Sequence, residues 1–233
     1  MTALAKPRGI LFDKDGTLFD FARTWEVWAA AFLVRLSGSA ERAISAANAI
    51  GFDMEAQCFR AGSVVIAGTP DEVAQALAPE FPHLDHAALI DVLNEEAMRA
   101  PQAETVTLAP YLAGLRKRGF RLGVATNDAE VPARVHLSEA GVEHAFDFIA
   151  GFDSGHGAKP APGQLLAFAK AVDLPPGACV MVGDSAHDLL AGQAAGMRCV
   201  GVLTGLATTE ALAPLADVVL TDIGALPDWL AQF

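Results

Sequence analysis

The sequence predicts an α/β fold: a doubly wound parallel sheet of Rossmann-like type carrying an inserted, all-helical second domain. Three observations lead there. From Phe120 onward, short apolar runs alternate with helical patterns, and the runs are apolar on successive residues, as strands covered on both faces require. Between the first such run, at Ile10, and that alternation lie about ninety residues of a different, helix-periodic texture. The length, 233 residues, suits one core domain with a smaller insertion.

Taken in order, "RGILFD" reads as a short buried strand. In the insertion, "RTWEVWAAAFLVRL" spaces Trp25, Trp28, Ala29, Phe32 and Leu36 as a helix does, with both tryptophans read as its core. "ERAISAANAIG", "TPDEVAQALA" and "HAALIDVLNEEAMRA" read as further helices, the second with Thr69 or Asp71 near its N-cap. "LAPYLAGLRKRGF" returns to the core through a helix ending at Gly119. Strands then follow at "FRLGVATN", "FDFIAGF", "ACVMVGD", "RCVGVLT" and "DVVLTD". The helices between them include two closed by Gly141 and Gly196. The expected boundaries are residues 1–19 and 101–233 for the core and 20–100 for the insertion, with linkers near Leu18–Ala22 and Ala100–Thr107.

Composition narrows the function. Hydrophobic residues make up 52% of the chain, ample for a core. Sixteen basic against twenty-eight acidic residues give a net charge of −12, which disfavours nucleic acid and anionic membranes as partners. No apolar run approaches the ~18 residues of a membrane helix. Met1–Arg8 has basic residues with no apolar stretch behind them, which argues against a signal peptide. Cys58, Cys179 and Cys199 show neither a disulfide framework nor zinc spacing, so reduced thiols in a cytoplasmic protein are the plain reading. Monomer and homodimer are both compatible with a chain of this size.

In a doubly wound sheet, ligands bind beyond the carboxyl ends of the strands. Asp13 and Asp15 follow the first strand; Thr126, Asn127 and Asp128 the second; a Gly-rich loop with Lys159 the third; Asp184, Ser185 and Asp188 the fourth. Several carboxylates cannot all ionise side by side without a cation, and hard oxygen donors suggest Mg²⁺. A calcium loop would place its glycine at position six; here Gly16 stands fourth and Leu18 sixth.

"DKDGTL", "VATN", "KPAP" and "GDSAHD", in that order and each at a strand end or loop, resemble the four motifs of the haloacid dehalogenase superfamily of phosphohydrolases. The resemblance spans the whole chain and points to the branch with a helical cap inserted after the first strand. Within that branch the chain looks most like phosphoglycolate phosphatase-type enzymes. The resemblance implies a two-step phosphoryl transfer to a small-molecule phosphate ester: Asp13 as nucleophile and Asp15 as acid, then base. It also implies Thr126 and the backbone N–H of Asn127 on the phosphoryl oxygens, and Lys159 as the neutralising cation. Gly16 gives the tight turn past the phosphate, and Thr17 is placed to orient Asp15. Mg²⁺ would be held by Asp13, the carbonyl of Asp15, Asp184 and Asp188. Taken alone, those last two carboxylates would read as helix capping; beside the other three motifs, metal binding is the preferred reading.

Members that attack carbon lack an acid at the place of Asp15, so its presence favours a phosphate ester. Lys14 departs from the family, which usually has an aromatic or aliphatic residue there. It is expected to point away from the phosphate, solvated or internally paired, with a role in tuning the acid as the lesser alternative. In the cap, Arg60 is the leading candidate for a substrate contact, against a plain surface salt bridge; Arg23 is a weaker one. His187 is either a rim residue or solvent-facing, and His156 is incidental. A β-phosphoglucomutase-like mutase, a nucleotidase and a non-catalytic protein of the same fold remain as alternatives.

Overall fold

The computed structural model describes residues 5–233. Residues 1–4, the start of the segment read for a leader, lie outside it.

Six parallel strands form the main sheet. β1 (Gly9–Phe12) is central and leads into the insertion. There a π-helical turn at Ala22–Glu26 runs straight into α1 (Val27–Ser37), followed by α2 (Ala40–Ala49). Next comes a small ribbon of β2 (Phe52–Asp53) and β3 (Cys58–Phe59), then α3 (Val64–Ala67), α4 (Pro70–Leu77) and α5 (His86–Ala97). The insertion is therefore helical apart from this ribbon, in which Phe52 lies opposite Phe59 and their rings meet edge to face at 4.9 Å. Strands of two residues are too short to show alternation, and so they leave no mark in the sequence pattern.

The core resumes with α6 (Leu108–Lys117), β4 (Arg121–Ala125), α7 (Glu130–Glu139) and β5 (Phe148–Ala150). It continues through α8 (Gly163–Ala171), β6 (Cys179–Gly183), α9 (Ala186–Ala195) and β7 (Arg198–Val202). It ends with α10 (Thr209–Leu212), β8 (Val218–Leu220) and α11 (Leu226–Leu230).

The strand order is β5-β4-β1-β6-β7-β8. The chain winds outward from β1 on one side, then crosses back to β6 and winds out on the other, which puts the switch of direction at β1. Register aligns the strand ends: Phe12 is level with Val124 and with Val182. Alternation along β1 sends Ile10 and Phe12 into one apolar layer and Leu11 into the layer on the other face.

A separate apolar cluster, drawn entirely from residues 21–100, fills the insertion. Its α4 starts with a capping box, in which Thr69 Oγ1 accepts from the Glu72 N–H and the Glu72 carboxylate accepts from the Thr69 N–H. Asp71 instead pairs with His86. The two linkers lie side by side: the Asp20 N–H donates to the Ala103 carbonyl and the Thr105 N–H to that of Leu18. No helix among the described residues is long and apolar enough to cross a membrane. Cys58, Cys179 and Cys199 are free thiols.

Candidate active site

The aligned strand ends place Asp13, Thr126 and Asp184 on one edge of the sheet, under the insertion. All three are buried. Lys159, from the loop after β5, reaches in and donates to Asp13 Oδ1 at 2.7 Å and to Asp188 Oδ1 at 2.6 Å. Carboxylate oxygens of Asp13, Asp184 and Asp188 lie within 4.8 Å of one another. Asp188 also closes a capping box at the start of α9, accepting from the Ser185 N–H and hydroxyl. Capping and site membership thus coincide in one residue.

Three carboxylates against one ammonium leave this cluster short of positive charge. Burial pushes the Asp13 carboxyl up to about 7, with Lys159 pulling it back and Asp188 pushing further. Burial, then Asp188 and Asp13, hold Asp184 well above the usual carboxylate range. Burial alone would lower Lys159, but Asp13 and Asp188 outweigh it and raise the ammonium's pKa. A buried, all-oxygen set that favours protons this strongly also suits a hard divalent cation such as Mg²⁺.

Gly16 is at φ +78°, and a Cβ there would come within 2.4 Å of the Asp184 carboxyl group. Gly205, just past β7, is closer still: a Cβ would stand 1.7 Å from Asp184 Oδ2. Neighbouring Thr204 donates from Oγ1 to the Gly16 carbonyl. Thr204 and Gly205 lie beyond the four strand ends that carry the motifs, yet "LTG" after "RCVGV" carries the same strand-end signal.

Asn127 acts as a brace. Its Nδ2 donates to the carbonyls of Ala67 and Lys159, and its Oδ1 accepts from the Lys159 N–H at 2.9 Å. One side chain thus ties the lysine loop to the insertion. Thr126 Oγ1 accepts from the Asp128 N–H, leaving its own proton free to donate.

Beside this cluster lies a second one. Lys14 is fully buried, with Nζ 2.7 Å from each Asp15 carboxylate oxygen and 3.3 Å from Asp128 Oδ2. Of the readings open to Lys14, internal pairing is the one found. The Trp25 indole N–H donates to Asp15 Oδ1 at 2.8 Å. His136 Nε2 lies 2.8 Å from the Ala97 carbonyl, which can only accept, so its Nδ1 lone pair faces Lys14 at 3.1 Å. Burial, then the Lys14 charge, push this imidazole down to about 4. Burial raises Asp128 to about 6 against the pull of Lys14. For Lys14, burial lowers the pKa, yet Asp15 and Asp128 more than offset it and the net shift is upward. Trp25 and Ala97 belong to the insertion, so the cluster straddles both parts.

Several expectations change. Thr17 Oγ1 is buried without a hydrogen-bond partner, so it does not orient Asp15; Lys14 and Trp25 do. Arg60 is half exposed on the insertion, held by Asn48 and Asp53, and is not among the residues lining the cavity. The sequence offered nothing to tell a pocket arginine from this one. Arg23 is exposed and also absent from the lining. Trp25 and Trp28 belong to the insertion's apolar cluster and line the cavity as well. His187 lines it too, near the Ala67 carbonyl.

The cavity itself, about 100 Å³ open to water-sized molecules, has Asp13, Asp15, Thr126, Asn127, Asp128 and Lys159 on its core side. Its other wall is the insertion.

Fold and site define a capped, doubly wound α/β protein with an acidic, lysine-braced pocket at the carboxyl edge of its sheet. A family model described as haloacid dehalogenase-like hydrolase matches residues 7–196, and the chain belongs to that family. It is an enzyme of the family's phosphatase type. It is 30% identical over 219 residues to a Dickeya dadantii protein named "Probable phosphatase IndB", covering 91% of this chain and 88% of that one. It is also 30% identical over 222 residues to a Xanthomonas campestris pv. campestris phosphoglycolate phosphatase, covering 92% of each. Among solved structures it resembles CbbY from Rhodobacter sphaeroides, with TM-score 0.68 and 24% identity over 94% of this chain and 96% of that one.

Proposed function

We propose that this phosphatase hydrolyses a small phosphomonoester in two steps through an aspartyl-phosphate, with Mg²⁺ as cofactor. The observation that carries the reading is the pairing of buried Asp13, fixed by Lys159 at 2.7 Å, with Asp15 on the same cavity wall. A carboxylate oxygen of Asp13 bonds to phosphorus as the ester P–O bond breaks. Asp15 gives its proton to the departing alkoxide. It then takes a proton from the water that attacks phosphorus and frees Asp13. The Thr126 hydroxyl, the Asn127 backbone N–H and Lys159 bind the phosphoryl oxygens, with Gly16 keeping the turn clear of side-chain bulk. Asp13, Asp184, Asp188 and the Asp15 carbonyl would hold Mg²⁺, which supplies positive charge against the phosphoryl group. The core and insertion boundaries proposed are 1–19 with 101–233, and 20–100. A bisphosphate-dependent mutase would use the same residues, and free phosphate as sole product separates the two.

The test is Asp13→Asn. Turnover of a broad phosphomonoester panel with Mg²⁺ should fall about a thousand-fold or more, with circular dichroism unchanged. Near-normal activity would remove Asp13 from the nucleophile's place. Kinship makes phosphoglycolate the first ester to try.

A further inference from the structure

The insertion's wall of the cavity is hydrocarbon, and the wall facing a leaving group decides which alcohol can leave. Phe21, Trp25, Trp28, Phe32, Ile66 and Leu93 are prominent in it. Both indole N–H groups are already committed, Trp25 to Asp15 and Trp28 to the Glu96 carbonyl, so the tryptophans offer ring carbon only. Trp28 stacks on Phe32 at 4.6 Å and meets Trp25 edge to face at 5.2 Å, which makes one aromatic surface.

The polar side chains on this wall are Thr69 and Asn94. The Thr69 hydroxyl is spent on Glu72. Asn94 Oδ1 is buried with no partner, which leaves one side-chain amide on this wall open to a ligand. Residues 20–100 contain five arginines and no lysine. None of the five lines the cavity. Arg60 is held by Asp53, and Arg35 and Arg99 by Glu96. A carboxylate placed against this wall would be desolvated with no cation to meet it, and with Asp15 and Asp128 close by. A sugar would bury several hydroxyls with one open side-chain amide on this wall to serve them.

We infer that the leaving group is an uncharged, largely apolar alcohol, aromatic or branched aliphatic, with at most one hydrogen-bond donor reaching Asn94. This rests on the phosphatase reading and narrows its substrate away from carboxylate-bearing and polyhydroxylated esters.

The experiment compares kcat/KM, with Mg²⁺, for benzyl phosphate and 3-methylbutyl phosphate against 2-phosphoglycolate and glucose 6-phosphate. All four are alkyl esters with weakly acidic alcohols, so the ranking reads the pocket rather than the ease of departure. The apolar esters should lead by about ten-fold or more. A lead for phosphoglycolate or the hexose phosphate would overturn the inference and leave the phosphatase reading standing. Phosphate release from none of the four or from any wider panel would overturn both. In Ile66→Arg, which places a cation in the wall, the ratio of phosphoglycolate to benzyl phosphate turnover should rise about ten-fold. An unchanged ratio would show that a missing cation is not what excludes the acid.

Discussion

Asp13, Lys14 and Asp15 are consecutive, yet they belong to two different buried ion clusters. Lys159 stands among three carboxylates, Asp13, Asp184 and Asp188. Lys14 stands between two, Asp15 and Asp128, with a neutral imidazole and an indole N–H completing its surroundings. If all carboxylates ionise, the first cluster carries −2 and the second −1. The first sits on the core alone and is short of a cation; the second bridges core and insertion and is nearly satisfied by the protein itself. One strand end thus feeds two clusters, one left with surplus negative charge and one in which the Asp15 carboxylate is held by the protein itself; on the function proposed above, the first takes up a cation and the second mounts the acid.

Replacing each lysine in turn breaks that comparison most directly. Lys159→Met should destabilise the metal-free protein by about 3–5 kcal/mol, because three buried carboxylates lose their only ammonium. Saturating Mg²⁺ should return part of that loss, since a ligand that binds only the folded state stabilises by mass action, about 2.7 kcal/mol at a hundred times its Kd. Thermal melts with Mg²⁺ and with chelator check this. If Mg²⁺ leaves the variant and the parent equally unmoved, the acidic triad is not a metal site.

Lys14→Met should show the opposite signature. Its stability loss should be insensitive to Mg²⁺ beyond the parent's own response. Its kinetic loss should depend on the leaving group: about a hundred-fold in kcat for an alkyl phosphate, which needs a well-placed acid, and far less for a nitrophenyl phosphate, which does not. A uniform loss on both esters would make Lys14 a stability residue and nothing more.

A finer test uses His136, held down to about 4 by burial and then by Lys14. Its ordinary value is 6.5, so between about 4 and 6.5 the unfolded chain binds a proton that the folded one refuses. This residue's contribution is therefore complete above 6.5 and is lost as pH falls through that window. His136→Gln should be less stable than the parent by about 1 kcal/mol at pH 7, with the gap closing toward pH 5. A gap that holds constant with pH would mean the imidazole is not buried neutral.

The first cluster was legible in the sequence and the second only in part. Asp13, Lys159, Asp184 and Asp188 each follow an apolar strand or its loop, and parallel strands in register must deliver such residues to one edge. Of the groups around Lys14, Asp15 and Asp128 are strand-end residues too, but Trp25 at the mouth of the insertion and His136 mid-helix are not, and nothing local to those two predicts that they converge there. Periodicity placed Trp25 and Trp28 on the inward face, where Trp25 is buried and Trp28 half-buried, but period reports which face of a helix is inward and not whether the space it meets is filled. The same limit applies to the fold: strands, helices and the insertion were readable, while the ribbon at Phe52 and Phe59 was too short to register.

Arg60 provides the smallest effect and the clearest check on which wall selects the substrate. As a charged residue beside "AGS" in an acidic insertion it invited a role in substrate binding. The structure instead spends its guanidinium on Asn48 and Asp53, at 3.2 and 3.4 Å, with the side chain half exposed. Such a pair contributes little, because solvent screens it and ordering two long side chains costs entropy. Asp53 keeps a lowered pKa chiefly through the N–H groups of Ala56 and Glu55, which would survive the loss of the arginine. Arg60→Ala should therefore change stability by no more than about 0.5 kcal/mol and leave kcat/KM for apolar and carboxylate esters alike within about two-fold. A selective rise in KM for a carboxylate-bearing ester would return Arg60 to the substrate and bring a cation to a wall that otherwise has none.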